Sequence, residues 1–245
     1  MPSAADAIEQ IKHMIVQTEV QPGDRLPTER ELAARFGMSR STVREAVRAL
    51  TTMNVLESRV GAGTYVTDLR PGGLLDGTAF ALDLMRSRNI LQLLEIRRTL
   101  DALAASQAAV RITPEGLAGL RELIAVMESD ADLDERIGAD LEFHRVVARA
   151  SGNEVLAALL ESVSGDTTAA RRWRGAVDGS AAERMSSEHH LILSALELGD
   201  PHLASVAAAA HVGGVETWLR SLDVDRLPAG DADAAPETTP SPRTE

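Results

Sequence analysis

Apolar residues recur every three or four positions along most of this chain, the spacing that lines up one face of a helix. The first such run, over residues 4 to 18, carries Ile8, Ile11 and Ile15. The second opens at Thr28 and Glu31, a capping box in which each side chain satisfies a backbone N–H at a helix start. A helix therefore begins near Glu29, with Leu32, Ala33 and Phe36 as its apolar face. Gly37 stands where helices commonly end in the left-handed conformation, and Ser39 is a good N-cap for the next helix. In that third helix Val43, Ala46, Val47 and Leu50 share one face, while Arg40, Arg44 and Arg48, at i, i+4 and i+8, occupy another. The period then shortens: two β-prone runs in Val55–Thr67 flank Gly61-Ala62-Gly63, the pattern of a hairpin.

From about Gly77 to Leu222 no strand pattern is present. Seven helices are expected there, near residues 76–86, 88–110, 114–129, 134–150, 154–174, 181–198 and 201–222. Thr113-Pro114-Glu115 reads as an N-cap followed by proline at the first helical position, and Gly199-Asp200-Pro201 closes one helix and opens the next. The breaker cluster Arg70-Pro71-Gly72-Gly73 places a linker at residues 71–76. The expected fold class is mainly α. A helix-turn-helix with a hairpin wing fills residues 1–70 and an all-α bundle fills 77–225. A disordered tail, rich in Pro, Asp, Ala and Thr, follows at 226–245.

Charge sharpens this picture. A net charge of −12 argues against indiscriminate nucleic-acid binding, because that binding is electrostatic. Acids and bases balance at nine each in the first 70 residues, so the acid excess lies in the helical body and leaves room for a local basic surface. A helix with one packing face and one arginine face fits the DNA major groove, where arginine pairs with guanine O6 and N7. The alternative is a solvated arginine-rich face. With 2% aromatic residues, a stacking platform for single strands is excluded. The absence of cysteine excludes disulfides and thiolate metal sites. No apolar run approaches 18 residues and no cleavable leader opens the chain, so a cytoplasmic protein away from membranes is expected.

The helical body carries one candidate chemical constellation. Asp140 and His144 are i and i+4 on one expected helix, and His189 and His211 lie on two later ones, 22 residues apart. Three imidazoles and one carboxylate suit Zn²⁺, Ni²⁺ or Mn²⁺ with coordination positions left open. A surface hydrogen bond is the alternative for the Asp140–His144 pair. His190 is the neighbouring rival to His189, about 100° around the helix, while His13 and His202 have no partner pattern.

Three segments together carry a resemblance: Gly23-Asp-Arg-Leu-Pro-Thr-Glu-Arg-Glu-Leu-Ala, Met38-Ser-Arg-Ser-Thr-Val-Arg-Glu-Ala and Gly61-Ala-Gly-Thr-Tyr-Val. Residues 8 to 68 resemble the winged helix-turn-helix of the GntR family of bacterial transcription regulators. The resemblance implies double-stranded operator DNA as partner, with contacts at Arg30, Ser39, Arg40, Thr42, Arg44 and Gly61. Residues 77 to 222 are similar to the FCD ligand-binding domain of the FadR subfamily, through Asp140-Leu-Glu-Phe-His144, Glu188-His189 and His211. That likeness implies a divalent metal on Asp140, His144, His189 and His211, and a small carboxylate effector, an organic or sugar acid. Arg97 matches the position of a counter-charge for that acid, although it may equally pair with Asp101 at i+4. Arg171, Arg172 and Asn153 are further candidates. The implied protein is a homodimer on a pseudo-palindromic operator, most simply a repressor released by its effector, and not an enzyme. Two alternatives stay open. The metal could be purely structural, or the body could be a metal-dependent enzyme with Glu142 as base, although Glu142 lies two residues from both ligands on its helix and faces away.

Overall fold

The computed structural model describes residues 2–163 and 181–221. In order these form α1 (Ala4–Val16), α2 (Glu29–Phe36), α3 (Arg40–Thr52), β1 (Leu56–Arg59), β2 (Gly63–Val66), α4 (Pro71–Ala108), α5 (Pro114–Glu128) and α6 (Leu133–Ala150). Helical residues 154–163 are α7, followed by α8 (Ala181–Glu197) and α9 (Pro201–Ser221). The fold is mainly helical with one two-stranded hairpin, and it divides into compact units at Met1–Gly77 and Thr78–Glu245.

In the first unit the local signals act as the sequence dictates. Thr28 and Glu31 close the capping box of α2, with Glu31 Oε2 accepting from Thr28 N at 2.8 Å. Gly37 ends α2 at φ 65°, a conformation a side chain disfavours, and turns the chain into the Ser39 cap of α3. The buried stripe of α3 is Val43, Ala46, Val47 and Leu50. That of α1 is Ala7, Ile11 and Met14; Ile8 and Ile15 are only partly buried, so the stripe is rotated from the isoleucine pattern. These residues meet Leu26, Leu32, Leu56 and Val66 in one core. The hairpin pairs Leu56 with Val66 and Arg59 with Gly63. Segment 23–26 flanks β2 on its other side, with Leu26 N donating to Thr64 O at 2.8 Å and an Arg25–Tyr65 bridge.

The breaker cluster is not a linker. Pro71 sits at the first helical position, where its missing N–H costs nothing, and α4 is helical through residues 71–76. Asn54 Nδ2 donates to Gly73 O at 3.0 Å, tying that first stretch to the end of α3. The two helices expected at 76–86 and 88–110 are one element, interrupted only at Asn89, whose φ and ψ of −128° and 15° are non-helical.

The second unit buries the inner faces of α4, α5, α6, α8 and α9 in one cluster built of Leu120, Ile124, Phe143, Ile192 and Leu196. Many of its other members are alanines, among them Ala105, Ala108, Ala139, Ala195, Ala204 and Ala208, which let helix backbones approach closely. Two smaller clusters extend it, one joining Ile90 and Leu94 to Val212, Val215 and Leu219, the other joining Ala104 and Ala148 to Leu156 and Leu160. The tail expected to be disordered, and the C-terminal part of the helix expected at 154–174, lie outside the described residues.

Phe143 is fully buried, with its ring edge-on to His189 at a centroid distance of 4.7 Å. Phe143→Ala should destabilise the protein by about 3–5 kcal/mol, measured as a shift of the urea midpoint followed by circular dichroism.

Candidate functional site

Three helices of the second unit each place polar residues inside an otherwise apolar stripe. On α6 the buried face runs Ile137, Asp140, Phe143, His144 and Val147. On α8, His189 precedes Ile192, Leu193 and Leu196 by three, four and seven residues. On α9, His211 falls between Ala208 and Val215. Helical spacing therefore aims Asp140, His144, His189 and His211 into the interior, where they are 1%, 8%, 0% and 1% exposed. One ligand atom from each lies within 4.8 Å of the others.

The detailed contacts orient these groups. His144 Nε2 and His211 Nε2 face each other at 3.1 Å, and His189 Nε2 lies 3.0 Å from Asp140 Oδ1. Behind the rings stand two further carboxylates. Glu188 Oε2 lies 3.0 Å from His211 Nδ1, and Asp101 Oδ1 lies 3.8 Å from His144 Nδ1. Asp101 in turn accepts from Arg97 Nε at 2.9 Å through its other oxygen. Arg97 is 1% exposed, so of the two roles open to it the ion pair is made. A buried guanidinium without such a partner would be strongly destabilising.

The residues present fit a divalent cation. An Asp/His₃ donor set is borderline in softness and suits Zn²⁺, Ni²⁺ or Mn²⁺. Among the described residues neither ring nitrogen of His189 makes a hydrogen bond, although both are buried. Such groups are rare in native interiors, and metal ligation accounts for one of the two nitrogens. Burial pushes His211 below its ordinary 6.5, with His189 adding to the shift and the Glu188 hydrogen bond opposing it. The neutral imidazole that a metal needs is thereby favoured.

The other candidates lie elsewhere. His190 faces the surface, with Nε2 2.9 Å from Glu128 Oε1, and His13 and His202 are exposed. Glu142 pairs with Arg145 and, at 3.7 Å, with Arg149, on the side of α6 away from the cluster. Asn153 caps α7, accepting from Leu156 N at 3.0 Å through Oδ1. Arg171 and Arg172 lie outside the described residues.

The first unit carries a second candidate surface. Arg30 and Arg40 line one groove together with Arg25, Thr28 and Thr64. Arg25 was not singled out by the sequence pattern. Its guanidinium lies over Gly63, where a Cβ would meet Nε at 2.7 Å, so the glycine provides its seat. Ser39 Oγ caps α3 and lies 2.8 Å from both Ser41 Oγ and Thr42 Oγ1. Arg44 is held by Glu29 of α2, Nε to Oε2 2.9 Å. Gly61, at φ 73°, sits on the wing beside the fully exposed Val60, outside that groove. Arg59 stacks on Tyr65 with its guanidinium carbon 4.2 Å from the ring centroid.

The lowered His211 value fixes a direction for pH. The unfolded chain takes up the proton near 6.5 and the folded chain only at lower pH, so stability rises with pH across that interval and falls as pH drops below it. The melting temperature of the metal-free protein should fall between about pH 7 and pH 5.5, and His211→Ala should flatten that dependence.

Comparison with known proteins agrees with this division. A family model of the FCD domain matches residues 92–214, and one described as bacterial regulatory proteins, gntR family, matches residues 3–66. The HTH-type transcriptional regulator LutR of Bacillus subtilis (strain 168) is 34% identical over 213 residues, covering 84% of this chain and 96% of that protein. The Uxu operon transcriptional regulator of Escherichia coli (strain K12) is 28% identical over 229 residues, covering 85% and 83% respectively. Among solved structures, Streptococcus agalactiae GntR superimposes with a TM-score of 0.60 at 28% identity, covering 87% of this chain and 99% of that one. The relatives matched are transcriptional regulators, not enzymes. Among the described residues no helix is long and apolar enough to cross a membrane. With a winged helix-turn-helix built on capped helices and an FCD domain around a buried Asp/His cluster, the chain belongs to the FadR-type branch of the GntR family of DNA-binding transcription regulators.

Proposed function

We infer that this regulator is a homodimeric repressor whose FCD domain holds Zn²⁺, Ni²⁺ or Mn²⁺ and senses a small organic or sugar acid. The observation that carries this reading is the convergence of Asp140, His144, His189 and His211 from three helices into a buried cluster. Asp140 and the three imidazoles hold the metal. When bound, it supplies a Lewis-acidic centre for a carboxylate oxygen of the effector. Arg97 stands behind His144 through Asp101 and supplies positive charge to the same region. Its ion pair uses Nε, one position of a five-donor fork. Residues 77–225 thus form the sensing domain, and residues 1–70 read the operator.

Arg40, Arg44 and Thr42 at the N-terminal end of α3 meet base edges and phosphates in the major groove. Ser39 anchors that end, Arg30 takes a phosphate, and the wing at Gly61 brings bare backbone to the adjoining strand. One short helix reads too few base pairs to specify a site, so two copies on a two-fold operator are required. Ile96, Leu103 and Val110, exposed at seven-residue spacing on and just after α4, offer an apolar stripe for a second copy. Regulation is a coupling free energy: an acid that fits the pocket better in one arrangement of the dimer shifts the protein toward it, and tenfold coupling corresponds to about 1.4 kcal/mol.

Fluorescence anisotropy on DNA from upstream of the protein's own gene, titrated with hydroxy, sugar and dicarboxylic acids, tests the reading. One acid should weaken binding several-fold, and chelation or the double substitution His189→Ala, His211→Ala should abolish that response together with bound metal. Unchanged response after metal removal defeats the metal-sensing reading, and loss of stability alone would make the metal structural. Arg44→Ala should cost about 1–3 kcal/mol per half-site at unchanged helix content, and equal operator affinity would remove Arg44 from the reading face.

A further inference from the structure

The two outward-facing nitrogens of the candidate metal cluster are not equivalent. His211 presents Nε2 to the cluster, and its Nδ1 is met by a carboxylate on a different helix, Glu188 Oε2 at 3.0 Å. His189, the next residue of α8, points its ring into the cluster, while Glu188 reaches sideways to α9 and keeps about a quarter of its side chain exposed. The space it needs is kept open by α9 itself: a Cβ on Gly214 would stand 3.1 Å from Glu188 Oε1, a closer approach than nearly all real Cβ contacts. Its neighbour Gly213 faces only Arg98 Cδ, at 3.8 Å. A glycine inside a helix is disfavoured by backbone entropy, so its presence opposite this carboxylate has a local steric reason.

We propose that Glu188 is a positioning residue for the metal site, fixing the tautomer and ring orientation of His211 so that Nε2 is the ligating nitrogen; this rests on the metal reading above. The carboxylate accepts only, so the facing Nδ1 carries the proton and donates it, which leaves Nε2 bare and aimed at the metal. A charged acceptor also raises the electron density of the imidazole and with it the donor strength of Nε2. Glu188 touches no metal in this scheme. Removing it frees His211 to rotate or to protonate Nε2, and the site then pays that reorganisation on loading.

The experiment compares full-length wild type, Glu188→Ala, Glu188→Gln and, as a control on a remote surface carboxylate, Glu197→Gln, whose native partner is Arg121. Zn²⁺ affinity is measured by competition with a chelator, and long-range ¹H–¹⁵N correlation reads the His211 tautomer in the metal-free protein. The wild type and Glu197→Gln should bind alike, with His211 protonated on Nδ1. Glu188→Ala should lose about 10- to 100-fold in affinity and show mixed tautomers, with Glu188→Gln, which retains an acceptor, in between. Circular dichroism keeps folding apart from binding. Equal affinity of folded Glu188→Ala and wild type, or an Nε2–H tautomer in wild type, overturns the inference while leaving the metal site intact. Wild type that takes up no Zn²⁺ removes the metal reading itself, and the inference with it.

Discussion

Placing a carboxylate and three imidazoles at the centre of an alanine-rich helical core is the constraint around which the second unit is arranged. A buried charge costs several kcal/mol unless opposite charge or donors face it. The helices answer with a dense reciprocal network. His189 stands against Asp140, Glu188 behind His211, and the Arg97–Asp101 pair behind His144. Every partner comes from α4, α6, α8 or α9, so the polar cluster fixes how those four helices meet more narrowly than alanine packing could. A divalent cation held by the four inner groups would complete the balance that their burial demands.

Much of this was legible along the chain because the signals are local. Capping boxes, the Gly37 turn and the Ser39 cap depend on residues three apart, and the Asp140, His144, His189 and His211 set stands out as polar residues inside apolar stripes. What was not legible is tertiary. Asp101 and Glu188 acquire their roles only when α4 meets α6 and α8 meets α9. Arg25 joins the groove only because segment 23–26 adds to the edge of the hairpin and Gly63 gives its guanidinium room. Two local readings failed for local reasons. Pro71 and the glycines after it suit a helix start as well as a linker, and in α1 the smaller Ala7 and the flexible Met14 pack inward in place of two isoleucines.

The two units use arginine in opposite ways. In the first, Arg25, Arg30 and Arg40 stand around an open groove, available to anions. In the second, Arg97 is enclosed and spends its charge on a neighbouring carboxylate. The same planar, permanently charged group thus serves recognition where water reaches it and architecture where water does not.

The Arg44–Glu29 pair has a further meaning for how an operator is found. On the proposed reading, the arginine that reads bases arrives already engaged with a partner in its own protein. A protein travelling along phosphates leaves that engagement undisturbed, since backbone contacts fall to other arginines. Only a base edge that offers a better acceptor draws Arg44 away, and an exposed pair of this kind resists by up to about 1 kcal/mol per protomer. The pair works as a threshold: poor sites are passed over because they do not repay its opening, and discrimination rests on an acid in the reader as well as on the bases being read.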